Sequence, residues 1–172
     1  MQSRREVQRE RSRGTSKRMI RDLLILIILI FLVGWSIYAV GNHPKAEAER
    51  QATTIAKRYA NLKTRTDFYI YNRENTYYTV AGKNNKGQRI LVIVPQKNGS
   101  VRVVKQSTGL TEQQALAQVK RNEHPKRVLK AVPGIFNDKV VWEVTYLNSK
   151  GNLCYDLINF KTGSYVQQIN NL

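Results

Sequence analysis

Cysteine is almost missing from this chain of 172 residues, where Cys154 stands alone. An intramolecular disulfide and a cysteine-based metal cage are both excluded by that count. Cys154 falls in an apolar strand pattern, where a small buried hydrophobe is the expected role. Histidine is nearly as scarce: His43 follows a long apolar run and His124 stands at a predicted helix end. Acidic residues are few as well, 12 Asp and Glu against 29 Lys and Arg, a formal net charge of +17. The glycines form neither a GxGxxG nor a GxxxxGK pattern, so no phosphate-cradling loop is expected. No catalytic, metal-binding or cofactor-binding residue is assigned, and the chain reads as non-enzymatic.

The first 21 residues carry eight Lys/Arg, two Glu and very little apolar surface. Such a segment does not bury enough to offset its ordering entropy, so residues 1–21 are expected to form a disordered basic tail in the cytoplasm. From Leu23 to Val40 run 18 residues without a charge. As a helix they would extend about 27 Å at roughly 1.5 Å per residue, close to the thickness of a bilayer's hydrocarbon core. Residues 22–41 are therefore expected to be a transmembrane signal anchor in the cytoplasmic membrane. A secretory signal peptide shares the basic start and apolar core, but this run is long and SIYAVGNH offers no clean small-x-small cleavage site. More basic residues precede the span than follow it, which keeps the N-terminus in the cytoplasm and the rest outside.

The part beyond the span, residues 41–172, holds 21 Lys/Arg and 9 Asp/Glu. Outside a membrane the polyanions within reach are lipid headgroups, anionic wall polymers such as teichoic acid, and stray nucleic acid. No specific nucleic-acid partner is expected.

Within that part the chain repeats itself. NNKG at Asn84–Gly87 returns as NSKG at Asn148–Gly151, and KNGS at Lys97–Ser100 returns as KTGS at Lys161–Ser164. Both pairs stand 64 residues apart. Apolar strand patterns flank each NxKG, so each is read as a hairpin turn with glycine at positive φ, and each KxGS as the next turn. In the second copy Val140, Trp142, Val144 and Tyr146 alternate with Val141, Glu143 and Thr145, the pattern of a sheet with one buried face. A helix precedes each meander. Ala48, Ala52, Ile55, Tyr59 and Leu62 form one amphipathic stripe, and Thr111 with Gln114 forms a capping box before the second helix. At the same offset of 64, Ala115 falls on Gln51 and Val119 on Ile55. His124-Pro125 ends that helix. The expected fold is α+β: a single N-terminal transmembrane helix, then two tandem units at 44–108 and 109–172, each one helix packed on an antiparallel meander. The short, proline-free connection from Ser107 favours a fixed mutual orientation.

A basic tail, one span and two helix-plus-meander units with NxKG and KxGS turns resemble the TseB-like cell-wall elongation regulators of Firmicutes. The resemblance implies tandem PepSY-like, cystatin-like domains on a Gram-positive cell surface. It also implies a non-enzymatic regulator working with a class B penicillin-binding protein during peptidoglycan synthesis. The family supplies no agreed binding residues.

Two surface features are candidates for binding. FYIYNRENTYY, Phe68 to Tyr78, is rich in aromatics. Tyr69, Tyr71 and Tyr77 are expected to point away from the core and to form a partner surface or the packing between the units. Lys83, Lys86, Lys97, Lys150 and Lys161 stand at the repeated turns and are candidate contacts to a polyanion, or simply solvated cations. Glu143 and Asp156 flank the NSKG turn, either as a carboxylate pair or each beside an Arg or Lys. A binding module for anionic wall polymer or nucleic acid is the alternative function, and a protease-inhibitor-like module the third.

Overall fold

The computed structural model describes the backbone of residues 4–170 and the side chains of residues 19–36 and 44–170. The expected basic tail therefore lies, for residues 1–18, outside the described side chains. The chain divides into two compact units, residues 1–46 and 47–172. In the first, helix α1 (Arg4–Ala60) carries an apolar window, Met19–Ser36, long enough to cross a membrane, and its side chains are exposed throughout. Such a helix is consistent with a membrane anchor or a signal sequence.

The second unit holds the end of α1 and two four-stranded antiparallel meanders. The first sheet runs β1 (Leu62–Asn72), β2 (Thr76–Asn84), β3 (Arg89–Pro95) and β4 (Arg102–Lys105). A short 3-10 turn (Gln106–Thr108) leads to helix α2 (Glu112–Glu123). The second sheet runs β5 (Arg127–Phe136), β6 (Lys139–Leu147), β7 (Leu153–Asn159) and β8 (Tyr165–Ile169). Thr111 caps α2 with the expected box: its hydroxyl accepts from the Gln114 backbone and the Gln114 side chain reaches back.

The duplication extends to individual hydrogen bonds. Val80 pairs with Val92 and Val144 with Asp156; Lys83 pairs with Arg89 and Leu147 with Leu153, every partner displaced by 64. In each NxKG turn the Asn side chain accepts from the backbone two and four residues on, Lys86 and Gln88 in one, Lys150 and Asn152 in the other. Gly87 and Gly151 sit at φ 74° and 89°, where any Cβ would be strained.

The front half of each repeat is offset by 63, not 64. The buried helix positions are Ala52 and Ala56 against Ala115 and Val119, and the left-handed residues ending the helices are Asn61 and His124. The register of β1 on β2 matches that of β5 on β6 with the same displacement. The extra residue sits in the β5–β6 turn, where a hairpin loop absorbs an insertion without disturbing the ladder. The buried stripe of α1 is accordingly Ala52 and Ala56, with Ile55 half-buried beside them. Tyr59 is 66% exposed, and Leu62 belongs to β1, beyond the turn at Asn61. Small alanines let the helix lie close on Val80, Ile90, Val92 and Val94. Each of those aliphatic side chains gains about 1.5–3 kcal/mol from burial.

The second sheet also departs from the single buried face that its alternation predicts. Residues 141–146 are all buried. Trp142, Val144 and Tyr146 pack toward Ala115 and Val119 of α2, whereas Val141 joins Tyr71, Val132 and Leu157 in a separate cluster. A neighbouring lobe covers what a free-standing meander would leave to water.

Candidate functional site

The two lobes meet where the helix-free face of the first sheet receives the edge of β5. That edge pairs only with β6, so its outer carbonyls need other partners. Pro133 brings no N–H to the seam, and its carbonyl accepts from the buried Thr79 hydroxyl at 2.9 Å. Beside it a Cβ on Gly134 would fall 2.2 Å from the Tyr71 ring, so only glycine admits the ring there. Arg73 closes the seam on the far side. Its Nε donates to Glu143 at 2.6 Å and its guanidinium lies 5.5 Å from the Tyr155 ring centre. Lys130 Nζ stands 3.5 Å from the other Glu143 oxygen. At the rim Arg102 donates to the backbone and side chain of Asp138. The connection between the lobes is pinned as well: Leu110 donates to Phe160, and its carbonyl accepts from Trp142 and Gln106.

Above this seam both lobes line one cleft of about 390 Å³. Thr66, Asp67, Gly82, Lys83 and Arg89 line it from the first lobe, and Thr111, Glu112 and Trp142 from the second. Tyr69 stands between them. Its hydroxyl donates to Glu112 at 2.8 Å, and its ring meets Trp142 edge-on. Burial, and then the Glu112 carboxylate, hold that phenol well above its ordinary pKa, so it stays a proton donor. Lys83 and Arg89 face each other across β2 and β3. The cleft thus presents cations and carboxylates together over an aromatic floor, a mixture that recognises a polar protein segment better than a uniform polyanion.

The candidate residues of the sequence do not form one surface. Tyr71 is 1% exposed, buried against Val132, Val141 and Leu157, so its assignment to a partner surface is corrected: the second lobe takes the face it occupies. Tyr69 is half-buried in the cleft wall. Tyr77 is half-buried against Tyr71 and lines a recess of about 250 Å³ with Glu74, Lys97 and Asn98. The five lysines are exposed and dispersed. Lys86 and Lys97 lie beyond opposite ends of β3, and Lys150 and Lys161 beyond opposite ends of β7. A strand of that length separates its ends by about 20 Å. Only Lys83 reaches the cleft.

Glu143 and Asp156 are not a pair. Glu143 lies opposite Leu157 and Asp156 opposite Val144, which puts the carboxylates on opposite faces of the sheet. Glu143 has Arg73 and Lys130 as its neighbours, whereas Asp156 faces Gln168 and Tyr146. Cys154 is buried and His124 caps α2. His43 lies outside the described side chains. Arg73, Thr79 and Gly134 escaped the sequence reading. The available signal was that Thr79 and Glu143 occupy the same repeat position, where a core would otherwise be apolar.

The two lobes coincide with two family matches. Residues 51–95 match the model described as "Cell wall elongation regulator TseB-like domain", and residues 109–164 the "Peptidase propeptide and YPEB domain", or PepSY. Over 149 residues the chain is 28% identical to the "Probable cell wall elongation regulator TseB" of Bacillus subtilis (strain 168), covering 84% of this chain and 91% of that one. The solved structure of the YpmB protein from Bacillus subtilis shares the fold with a TM-score of 0.64 at 24% identity, over 70% of this chain and 95% of that chain.

Proposed function

The chain is TseB-like, and from that premise we propose that it is an uncleaved, single-pass regulator of cell-wall elongation that acts by binding and not by chemistry. A regulatory role in elongation is supported by the homologue. The finer reading places the N-terminus in the cytoplasm and both lobes outside, with a class B penicillin-binding protein held against the inter-lobe cleft.

One observation carries the binding reading: the cleft exists only where the two lobes meet, and it is lined from both. A rigid composite surface costs little ordering entropy on association. The dispersed turn lysines give no comparable support to a wall-polymer site. Photocrosslinkers at Lys83, Arg89 and Gln113 in intact cells should capture a penicillin-binding protein, while the same group at Lys150 or Lys161 should not. Capture of lipid alone, or equal capture from all five positions, overturns the reading.

A further inference from the structure

The helix-side core of the second lobe contains a group that the first lobe shows the fold does not need. Where β3 and β4 place Val92 opposite Val103, β7 and β8 place Asp156 opposite Gln168. Asp156 is 0% exposed and its Oδ2 has no hydrogen-bond partner. Gln168 donates from one nitrogen to Asp156 Oδ1 at 3.3 Å and to Glu123, the last residue of α2, at 3.1 Å. From β6 the Tyr146 hydroxyl faces the carboxyl, and Cys154, two residues earlier on β7, lies near that hydroxyl. From β8 Tyr165 is near enough to feel its charge. No Lys or Arg among the described residues acts on it.

We propose that Asp156 is a proton-operated latch for the C-terminal strand: protonated, it lets β7, β8 and α2 close tightly, and ionised, it loosens β8. The physical reason is a buried charge without a cation. Burial, the largest influence, and the charge of Glu123 favour the neutral acid; the Gln168 hydrogen bond, second in size, and Tyr146 oppose them without cancelling burial, and the pKa is pushed up to about 6. Loss of the proton leaves two carboxylates sharing one amide at a sheet edge. β8 pairs only with β7, so it is the element that yields. A raised carboxyl stabilises fully below its unfolded value near 4, and that stability is lost as pH rises to about 6.

Hydrogen exchange of the full chain in detergent micelles, corrected for the intrinsic rate, tests this. The β8 amides of residues 166–169 should open about 25-fold more readily at pH 7 than at pH 4.5, the part of the two-unit linkage that falls between those pH values. The matching β4 amides should not change, because Val92 replaces the carboxyl. Asp156→Asn, or Asp156→Val as in the first lobe, should flatten the β8 profile, and Glu123→Gln should lower its midpoint. A β8 profile flat in the natural chain, or equally steep in the Asp156 variants, overturns the latch. So does failure of both Asp156 variants to fold, since a group that loosens the structure cannot be required to form it.

Discussion

Arg73 Nε stands 2.6 Å from Oε2 of Glu143, joining the turn after β1 to a carboxylate on β6 that is almost wholly enclosed. This contact ties one lobe to the other across 70 positions of sequence. Removing one member of a buried pair leaves an uncompensated charge, at a cost of about 3–5 kcal/mol, while apolar replacement of both is far milder. Arg73→Met should therefore destabilise the chain by that amount, and Arg73→Met with Glu143→Leu should recover most of it. Lys130, at 3.5 Å, is too exposed to take over. Urea unfolding followed through Trp142 fluorescence measures both; equal losses for the single and double variants would refute the pairing.

Tyr71 fills the seam with its ring, while its hydroxyl is buried without a partner. Tyr71→Phe should be neutral or gain up to about 1 kcal/mol, because an unmet polar group is removed. Tyr71→Ala should lose about 3–5 kcal/mol through the cavity it leaves. The two melting temperatures, compared with the natural chain, decide this.

Gly134→Ala drives a methyl into the Tyr71 ring. Overpacking of this kind costs about 1–3 kcal/mol. In a double-mutant cycle, Gly134→Ala should cost much less once Tyr71 is already alanine. Strict additivity would show that the ring is not what excludes the methyl.

The capping box of α2 is independent of the seam. Thr111→Ala should cost about 1 kcal/mol, with Thr111→Ser close to neutral. Amide exchange in residues 113–116 reports the fraying directly.

Stability should also fall as pH rises from about 4 to about 6, by up to about 3 kcal/mol from Asp156 alone. Asp156→Val should remove that slope and make the chain more stable at pH 7, as read by denaturant titrations at several pH values.

Local pattern was enough for the apolar helix, the duplicated meanders, the hairpin turns and the cap of α2. Each depends on residues within a few positions of one another, where periodicity and turn chemistry act directly. The same pattern misassigned Tyr59 and Leu62, left Tyr71 open between a partner surface and packing between the lobes, and carried the repeat offset of 64 into a helix where burial obeys 63. Alternation says that a side chain leaves one face of a strand; it does not say whether water or another lobe waits on the other side.

The sequence by itself determined two like lobes behind one apolar helix, because turn glycines, side-chain caps and strand alternation act over short range. Tertiary structure alone decided that β5 seats its edge on the first sheet, that Arg73 meets Glu143, and that Asp156 is enclosed without a cation. Those outcomes depend on which surfaces exclude water together, and residues 70 positions apart are brought into one such surface only by the packed fold.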